Sequence, residues 1–509
     1  MPATILSATI DGLHSRLIHT EVDVHVGLHA FHIVGLADKA VEEAKERMSS
    51  ALKNSKFKPP RSFNKRTIIN LAPADIKKQG THFDLPMALG FLVSSKQIKP
   101  IDANTLIMGE LGLDGTLRPV RGALSMALCA RQKKIARLIV PRENAAEASL
   151  VGNMVVEAPS NLNECIRLLE HNEHFTPPQN IAPKQSYQQS LPDIGQIQGQ
   201  HQAKRAIEIA AAGSHNVLMQ GPPGSGKTLL ARAMAGILPA MSREEQLEVT
   251  QITSIKGELN PDSPLVYDRP FRSPHHSSSE VALLGGGSNL LPGEITMAHR
   301  GVLFLDEFPE FHRDVLESLR QPLESRKITV ARSKGTIHYP ASFTLVAAAN
   351  PCPCGYRNDD KHPCVCSPSQ IMMYQRKLSG PIADRIDIHV WVPSQTYEVL
   401  SSTILGESTI IVQTRVNQAR NIQNKRFTGL ATKTNSEMTL PLIKKYCVLS
   451  GDSEHIVERA VNSFGLSARG YHNLLKVART IADLAASEAI LVPHLTEALG
   501  YIRKEAETY

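Results

Sequence analysis

The stretch that decides the fold is a glycine-rich run, Gly221-Pro222-Pro223-Gly224-Ser225-Gly226-Lys227-Thr228. The apolar residues 216–220 precede it and predict a buried strand, and residues 229–235, rich in leucine and alanine, predict a helix after it. Glycines between a strand and a helix let backbone N–H groups surround phosphate groups. The sequence therefore predicts a nucleotide-binding loop in which Lys227 contacts the β- and γ-phosphates and Thr228 binds Mg²⁺.

A second buried strand is predicted at residues 303–305, and two carboxylates, Asp306 and Glu307, follow it directly. A site that transfers a phosphoryl group needs one group to hold the metal and another to orient the attacking water. We therefore assign Asp306 to Mg²⁺ binding, mainly through water, and Glu307 to polarisation of the water that attacks ATP.

A third apolar segment, residues 343–349, ends at Asn350, which we expect to position the same water as a sensor. Three buried strands that each end in polar side chains predict an α/β fold with a parallel sheet. Because ligands of such sheets bind at the carboxyl ends of the strands, we expect the three polar ends to meet there.

Four cysteines form two C-x-C pairs within a short polar segment: Cys352, Cys354, Cys364 and Cys366. Four thiolates suit a tetrahedral metal, and zinc can cross-link a segment too polar to form its own core. His362 is an alternative ligand, and free thiols or a disulfide pair are alternative states. The other cysteines lie in apolar or helical surroundings and are expected in the core: Cys129, Cys165 and Cys447.

Length and composition are those of an ordinary globular protein with several domains. The chain has 509 residues, 42% of them apolar, and a net charge of +7, which permits a polyanionic partner without requiring one. Residues 1–6 lack the basic and apolar regions of a signal peptide, and no apolar run reaches the ~18 residues of a membrane span. We expect a cytoplasmic protein without a membrane partner.

The composition changes along the chain and predicts four parts. Residues 1–174 mix strands and helices, and residues 175–192 are polar, contain prolines and predict a linker. The ATPase core is expected at residues 193–396, and a helical carboxyl-terminal lid at residues 397–509.

Several longer motifs accompany the phosphate-binding loop: residues 193–196, 199–200, 203–216, 271–276, 380–387 and 466–469. With these motifs the chain resembles the ComM/YifB family of Mg-chelatase-like AAA+ ATPases over nearly its whole length. The resemblance implies a homohexameric DNA helicase or translocase that promotes branch migration in homologous recombination during natural transformation. Single-stranded and branched DNA, and recombination proteins, are the expected partners.

The resemblance also implies two arginines that complete the ATPase site. Arg385 corresponds to the finger that reaches the nucleotide of the next subunit, where it would stabilise charge on the transferring phosphoryl group. The alternative is an ion pair with Asp384 or Asp387 of its own chain. Arg469 resembles the sensor-2 arginine at the start of a lid helix, and the sequence leaves open whether it acts in cis or in trans.

Two segments are expected to line the pore of the ring and to contact DNA. Residues 281–293 resemble the insertion that this clade carries in its second helix, with Gly285, Gly286 and Gly287 at its centre. Residues 327–339 have β-branched arms and a Ser-Lys-Gly turn that predict a hairpin, with Arg332 and Lys334 near its tip. An ordinary surface loop is the alternative for both.

The amino-terminal part resembles the α+β domain of Lon proteases, which also occurs in RadA-type recombination proteins, at residues 83–90 and 109–122. Lon proteases need a Ser nucleophile and a Lys base, and neither is present at the matching places in residues 80–83 and 122–125. We therefore expect a scaffold or a DNA-binding module. An uninterrupted basic run is either a phosphate contact or a solvated face: Lys53, Lys56, Lys58, Arg61, Lys65 and Arg66.

Three other functions remain open from the sequence. A metal-chelatase subunit shares the ATPase core, although the Lon-like part and the cysteine cluster fit it poorly. An ATP-dependent protease would need the missing Ser–Lys dyad. A DNA-binding scaffold without motor activity is the third alternative.

Overall fold

The computed structural model describes residues 2–177, 191–287, 290–332, 335–359, 361–378, 382–401 and 405–502. Most of the predicted linker at 175–192 therefore lies outside the described residues. Within the described ranges, none of the helices has both the length and the apolar character needed to cross a membrane.

In the part of the chain that the structure describes, the strands belong to two large sheets and three small two-stranded sheets. In chain order they are β1 (Ala3–Asp11), β2 (His14–Val26), β3 (Ala30–Val34), β4 (Lys65–Ala72), β5 (Thr105–Ile107), β6 (Glu110–Leu111), β7 (Leu117–Arg118), β8 (Arg137–Ile139), β9 (Val155–Glu157), β10 (Val217–Gln220), β11 (Phe271–Arg272), β12 (Gly285–Gly286), β13 (Leu291–Pro292), β14 (Val302–Leu305), β15 (Lys327–Arg332), β16 (Gly335–Pro340), β17 (Thr344–Ala349) and β18 (Ile388–Trp391).

The helices cover the faces of the two large sheets and make up most of the carboxyl-terminal part. In chain order they are α1 (Lys39–Asn54), α2 (Asp84–Ser94), α3 (Ala123–Gln132), α4 (Ala145–Ser149), α5 (Leu162–His171), α6 (His201–Gly213), α7 (Lys227–Ile237), α8 (Arg243–Lys256), α9 (Glu280–Leu284), α10 (Glu294–Met297), α11 (Arg313–Ser318), α12 (Arg320–Ser325), α13 (Pro368–Lys377), α14 (Tyr397–Leu400), α15 (Thr409–Arg426), α16 (Leu440–Tyr446), α17 (Asp452–Phe464), α18 (Ala468–Leu484) and α19 (Val492–Leu499).

The amino-terminal part is built on a mixed sheet of seven strands in the order β3-β4-β2-β1-β5-β8-β9. Helix α1 begins after Asp38, whose side chain accepts a hydrogen bond from the Val41 N–H at 2.9 Å. The apolar stripe predicted for this helix is buried: Val41, Ala44, Met48 and Leu52. Alternate residues of the central strands enter two different apolar clusters, so this sheet is covered on both faces.

The middle part is a five-stranded sheet in the order β11-β14-β17-β10-β18, and every neighbouring pair is parallel. Both faces are buried: in β10, for example, Val217 and Met219 enter one apolar cluster and Leu218 enters the other. The three strands predicted from the sequence are β10, β14 and β17, and they are adjacent in this sheet. The predicted mixed α/β fold with a parallel sheet is confirmed.

The carboxyl-terminal helices share their core with this sheet. Val412 and Val416 of α15 and Ile481 of α18 belong to the same apolar cluster as the strands. Two polar contacts add to the packing: the Arg205 guanidinium lies 2.7 Å from Glu497, and a ring nitrogen of His215 lies 2.8 Å from the hydroxyl of Thr480. The apolar core on one face of the five-stranded sheet therefore continues into these helices.

The amino-terminal part also contacts the middle part. The side-chain amide of Gln251 in α8 donates to the carbonyl of Leu13, in the turn between β1 and β2. Leu13 packs in the same apolar cluster as Ile337 of β16. The buried carboxylate of Glu147 accepts from the hydroxyl of Ser254 in α8. Polar and apolar contacts thus join the two parts.

Candidate functional site

The glycine-rich run forms the loop between β10 and α7, as predicted. Gly221 approaches the backbone so closely that a Cβ there would lie 2.1 Å from the carbonyl oxygen of Val392. Gly224 and Gly226 have φ values of +73° and +94°, which L-residues with a side chain rarely adopt. The loop therefore requires glycine at these places for steric and conformational reasons.

The ammonium group of Lys227 points back into the loop. Its Nζ atom donates to the carbonyl oxygens of Gly221 and Pro222, each at 2.8 Å, and lies 3.4 Å from Oδ1 of Asn350. Burial lowers the pKa of Lys227 to about 8, and the nearby carboxylate of Asp306 partly opposes that shift. The structure thus brings together the lysine of the loop and the polar end of β17.

Thr228 and Asp306 meet at the edge of the sheet. The hydroxyl of Thr228 donates to Oδ2 of Asp306 at 2.9 Å, and Oδ1 of Asp306 accepts from the backbone N–H of Glu307 at 2.9 Å. A hydroxyl beside a carboxylate is a donor set that suits Mg²⁺, which prefers oxygen ligands. The polar ends of β10, β14 and β17 therefore converge as the sequence predicts.

Glu307 has a partner that the sequence analysis did not assign. Nδ1 of His276 lies 2.9 Å from Oε2 of Glu307. The His276 ring packs 4.1 Å from the His275 ring and stands edge-on to Phe311 at 6.4 Å. The sequence position of His275 and His276 could have predicted this contact. Both follow β11, which is parallel to β14 and ends at the same edge of the sheet.

The four cysteines of the two C-x-C pairs come together. Their sulfur atoms all lie within 4.8 Å of one another. The sulfur of Cys352 is 3.4 Å from that of Cys354 and 3.7 Å from that of Cys364, and the Cys354 backbone N–H points at the sulfur of Cys366 at 3.3 Å. Soft thiolate sulfurs at such distances from one another fit a tetrahedral zinc ion.

His362, the alternative ligand, contacts a carboxylate instead of joining the four sulfurs. Its Nδ1 atom lies 3.0 Å from Oδ2 of Asp359. The three remaining cysteines are buried, as predicted for core residues: Cys129, Cys165 and Cys447. Burial raises the pKa of the Cys447 thiol to about 12, so it stays protonated at neutral pH.

Arg385 and Arg469 meet at one carboxylate, Glu324 of α12. A terminal nitrogen of Arg385 contacts Oε1 of Glu324, and Nη1 of Arg469 lies 3.4 Å from the same oxygen. Of the two partners considered for Arg385 from the sequence, Asp387 lies 3.0 Å from a ring nitrogen of His215. The two arginines that were expected to complete the ATPase site thus contact one carboxylate of their own chain.

Both segments expected at the pore contain hairpins. After α9 the chain forms the short antiparallel pair β12–β13; Gly285 and Gly286 make up β12, and Gly287 follows them, before β13. Strands β15 and β16 form the second hairpin, in which Arg332 pairs with Gly335. Lys334, the residue predicted at its tip, lies outside the described residues.

The basic run of the amino-terminal part extends from the end of α1 to the start of β4. Its members are exposed, except for the half-buried Lys65. Arg61 pairs with Glu46 at 2.5 Å, and the Lys65 ammonium lies 5.3 Å above the Phe63 ring. The remaining cations are placed where they can contact solvent or an anionic partner.

Comparisons with known proteins cover almost the whole chain. Three family models match: "Subunit ChlI of Mg-chelatase" at residues 20–144, "Magnesium chelatase, subunit ChlI" at 193–400 and "Magnesium chelatase, subunit ChlI C-terminal" at 406–502. The competence protein ComM of Haemophilus influenzae is 43% identical over 98% of this chain and 97% of its own length. The protein YifB of Escherichia coli is 41% identical over 96% of this chain and 95% of its own.

A magnesium-chelatase 38 kDa subunit, that of Cereibacter sphaeroides, gives a shorter match. It is 29% identical over 30% of this chain and 51% of its own length. Similarity to the chelatase subunit is thus partial, whereas similarity to ComM and to YifB extends over at least 95% of each of the chains compared.

Proposed function

The chain belongs to the ComM/YifB family of magnesium-chelatase-like proteins, and we propose that it is an ATP-dependent DNA translocase that drives branch migration during natural transformation. The observation that carries the proposal is the convergence of Lys227, Thr228, Asp306 and Asn350 at one edge of a parallel sheet. The competence protein ComM, which matches over 97% of its own length, supports DNA as the substrate. Recombination proteins are the partners expected of such an enzyme.

Hydrolysis of ATP would use the side chains of this edge in distinct roles. Lys227 would exchange two carbonyl acceptors for phosphate oxygens, which bind an ammonium more strongly because they are charged. Thr228 and Asp306 would hold Mg²⁺, while Glu307 polarises and Asn350 positions the attacking water. The backbone of residues 221–226 would surround the phosphates.

Assembly into a hexameric ring would bring Arg385 of one subunit to the nucleotide of the next. In the single chain Arg385 shares Glu324 with Arg469. Release of Glu324 would let both guanidinium groups turn towards a phosphate, a charged acceptor that arginine can bind with two hydrogen bonds. Arg469 would report the state of the nucleotide to the helices that follow residue 397.

DNA would be held in the pore by two elements, the hairpin β15–β16 with Arg332 and Lys334, and the insertion at Gly285–Gly287. Backbone contacts and cations at such places bind phosphates without regard to base sequence. The exposed basic run between Lys53 and Arg66 would add a second contact on the amino-terminal part.

The four cysteines would bind one zinc ion for each chain. Their sulfurs lie close enough together for one tetrahedral ion, and the donor set is the one that structural zinc sites use. Zinc would cross-link residues 352–366 and would supply structure without redox chemistry.

We retain the predicted organisation as part of the proposal. Residues 1–174 would be a Lon-like module without protease activity, residues 175–192 a linker, residues 193–396 the AAA+ core and residues 397–509 a helical lid. The limits of the three matching family models support this division, because the gap at residues 145–192 contains the predicted linker and the gap at 401–405 lies close to residue 397.

A forked DNA substrate provides the direct test. We expect the purified protein with ATP and Mg²⁺ to displace a labelled strand, and we expect no displacement without ATP or with Lys227→Ala. Hydrolysis of ATP without strand displacement on any branched substrate would contradict the proposal and would favour a chelatase-type subunit. Tight DNA binding without ATP hydrolysis would favour the non-motor scaffold.

A further inference from the structure

The loop that carries the four cysteines lies directly on the phosphate-binding loop. Gly355 follows Cys354, and a Cβ at Gly355 would lie 2.7 Å from Cδ of Pro223 and 3.9 Å from Cγ of Asn350. Gly355 has a φ of +86°, so both its conformation and its surroundings require glycine. The backbone of the cysteine loop at Gly355 therefore lies against Pro223 of the phosphate-binding loop and near Asn350 at the end of β17.

The same loop is anchored on its other side to the segment after β18. Asp359 accepts a hydrogen bond from the Ser394 hydroxyl at 2.9 Å, and the Lys361 ammonium donates to the carbonyl of Gln395. The rings of Tyr356 and His362 lie 4.8 Å apart and close the loop over itself.

This anchoring segment in turn borders the phosphate-binding loop. The side-chain amide of Gln200 donates to the carbonyl of Ser225 at 3.1 Å and to that of Pro393 at 2.8 Å. The carbonyl of Val392 lies against Gly221. The cysteine loop thus bridges two walls of the nucleotide site, one at Pro223 and one at residues 392–395.

Little apolar packing holds the bridge in place. Cys352 is buried, but Cys354, Cys364 and Cys366 are only half-buried, and Val365 between the last two is 82% exposed. A loop with few buried apolar side chains gains most of its order from a cross-link, which here is the set of four sulfurs. The position of Gly355 against Pro223 therefore depends on those sulfurs being held together.

We propose that the metal bound by the four cysteines is a clasp for the nucleotide site: it holds Gly355 against Pro223 and thereby pre-organises the phosphate-binding loop. This inference rests on the proposed binding of ATP and zinc. The cysteines are positioning residues, since they act on the nucleotide through Gly355 and Pro223. Loss of the metal leaves Lys227 and Asp306 in place, but the phosphate-binding loop then loses conformational entropy when ATP binds. This entropy loss weakens the binding of ATP.

The double variant Cys364→Ser with Cys366→Ser tests the clasp. Zinc is measured by elemental analysis, and nucleotide affinity is measured with a fluorescent ATP analogue and Mg²⁺ in the absence of DNA. We expect the zinc to be lost and the dissociation constant to rise about tenfold, which corresponds to ~1.4 kcal/mol of binding free energy. Val365→Ser, between the two ligands, is the matched control and should keep both the zinc and the affinity.

Gly355→Ala separates the contact from the metal. All four sulfurs remain, so we expect one zinc for each chain, whereas the positive φ and the close approach of Pro223 should lower the melting temperature relative to Val365→Ser. The added methyl group displaces Pro223, and the affinity for nucleotide should fall.

Three results would overturn the clasp: a zinc-free double variant that binds nucleotide as tightly as the wild type, an unchanged affinity in Gly355→Ala, or a wild type without zinc. A wild type that contains zinc but binds no nucleotide would contradict the proposed function itself.

Discussion

Nδ1 of His276 lies 2.9 Å from Oε2 of Glu307. This contact joins the carboxylate assigned to water activation to the loop that follows β11. The same loop continues into α9 and then into the glycines of the insertion at Gly285–Gly287. We therefore expect a shift of the insertion, which we propose to contact DNA, to reach Glu307 through residues 276–285.

Replacement of His276 should uncouple hydrolysis from DNA. In His276→Ala the Glu307 side chain loses its partner, and we expect the ratio of DNA-stimulated to basal ATP turnover to fall towards one while KM for ATP stays unchanged. Steady-state ATPase assays with and without single-stranded DNA measure both quantities. His275→Ala is the control, because Nδ1 of His275 contacts the hydroxyl of Ser277 at 2.8 Å. Equal stimulation in His276→Ala and the wild type would remove His276 from the coupling.

Nucleotide affinity should depend on pH through Lys227. Burial lowers its pKa to about 8, so the ammonium that binds phosphate loses its proton as the pH rises through that value. We expect the affinity for ATP to be highest below pH 8 and to fall by up to about tenfold for each pH unit above it. Isothermal titration calorimetry between pH 7 and 9.5 would show how the affinity for ATP changes with pH.

Lys227→Arg separates this effect from general effects of alkaline pH. A guanidinium stays charged throughout the range, so the variant should bind more weakly but with a flat pH dependence. For protein stability the sign is opposite: the buried ammonium destabilises the fold below about pH 8, and this cost disappears as the pH rises towards 10.5. If the affinity for ATP changed with pH equally in the wild type and in Lys227→Arg, the pH dependence would belong to another group.

A mixing experiment tests whether Arg385 acts on the neighbouring subunit. Arg385→Ala and Lys227→Ala should each be inactive alone. If Arg385 acts in trans, some interfaces in a mixed ring carry neither change, and part of the ATPase activity should return. Co-assembly is checked by affinity tags of two kinds, and a lack of recovery in every mixture that co-assembles would indicate a role within one chain.

Lys334 tests the proposed grip on DNA. The sequence predicts Lys334 at the tip between β15 and β16, where a cation would contact phosphate. Lys334→Ala should therefore keep basal ATPase activity but lose DNA-stimulated turnover. Its DNA affinity should fall less steeply with salt, by roughly one unit of the log–log slope. Lys377, an exposed lysine of α13, provides a control in Lys377→Ala. Unwinding by Lys334→Ala at the wild-type rate would move the grip to the Gly285–Gly287 insertion or the basic run.

The sequence was sufficient for the parts of the site that lie in regular elements. Residues 216–220, 303–305 and 343–349 are apolar runs followed by polar groups, and β10, β14 and β17 match them within one residue. Because parallel strands end at one edge, their polar ends had to converge. The hairpin β15–β16 could also be predicted from the sequence, because β-branched arms flank a Ser-Lys-Gly turn.

Contacts between segments that are far apart in the chain could not be predicted from the sequence. His276 reaches Glu307, Gly355 reaches Pro223 and both arginines reach Glu324 because of how strands and loops pack, and no local pattern encodes these distances. The roles of these residues in a ring depend on neighbouring subunits. Their assignment therefore stays a prediction until it is tested in the assembled protein.

Branch migration on a synthetic four-way junction tests the central claim most directly. With ATP and Mg²⁺ the wild type should convert the junction into two duplexes. Glu307→Gln keeps Lys227, Thr228 and Asp306, so it should still bind ATP and the junction, but its turnover should fall by about 10²-fold or more and the junction should persist. An intact junction in the presence of a wild type that hydrolyses ATP, or migration by Glu307→Gln at the wild-type rate, would contradict the account.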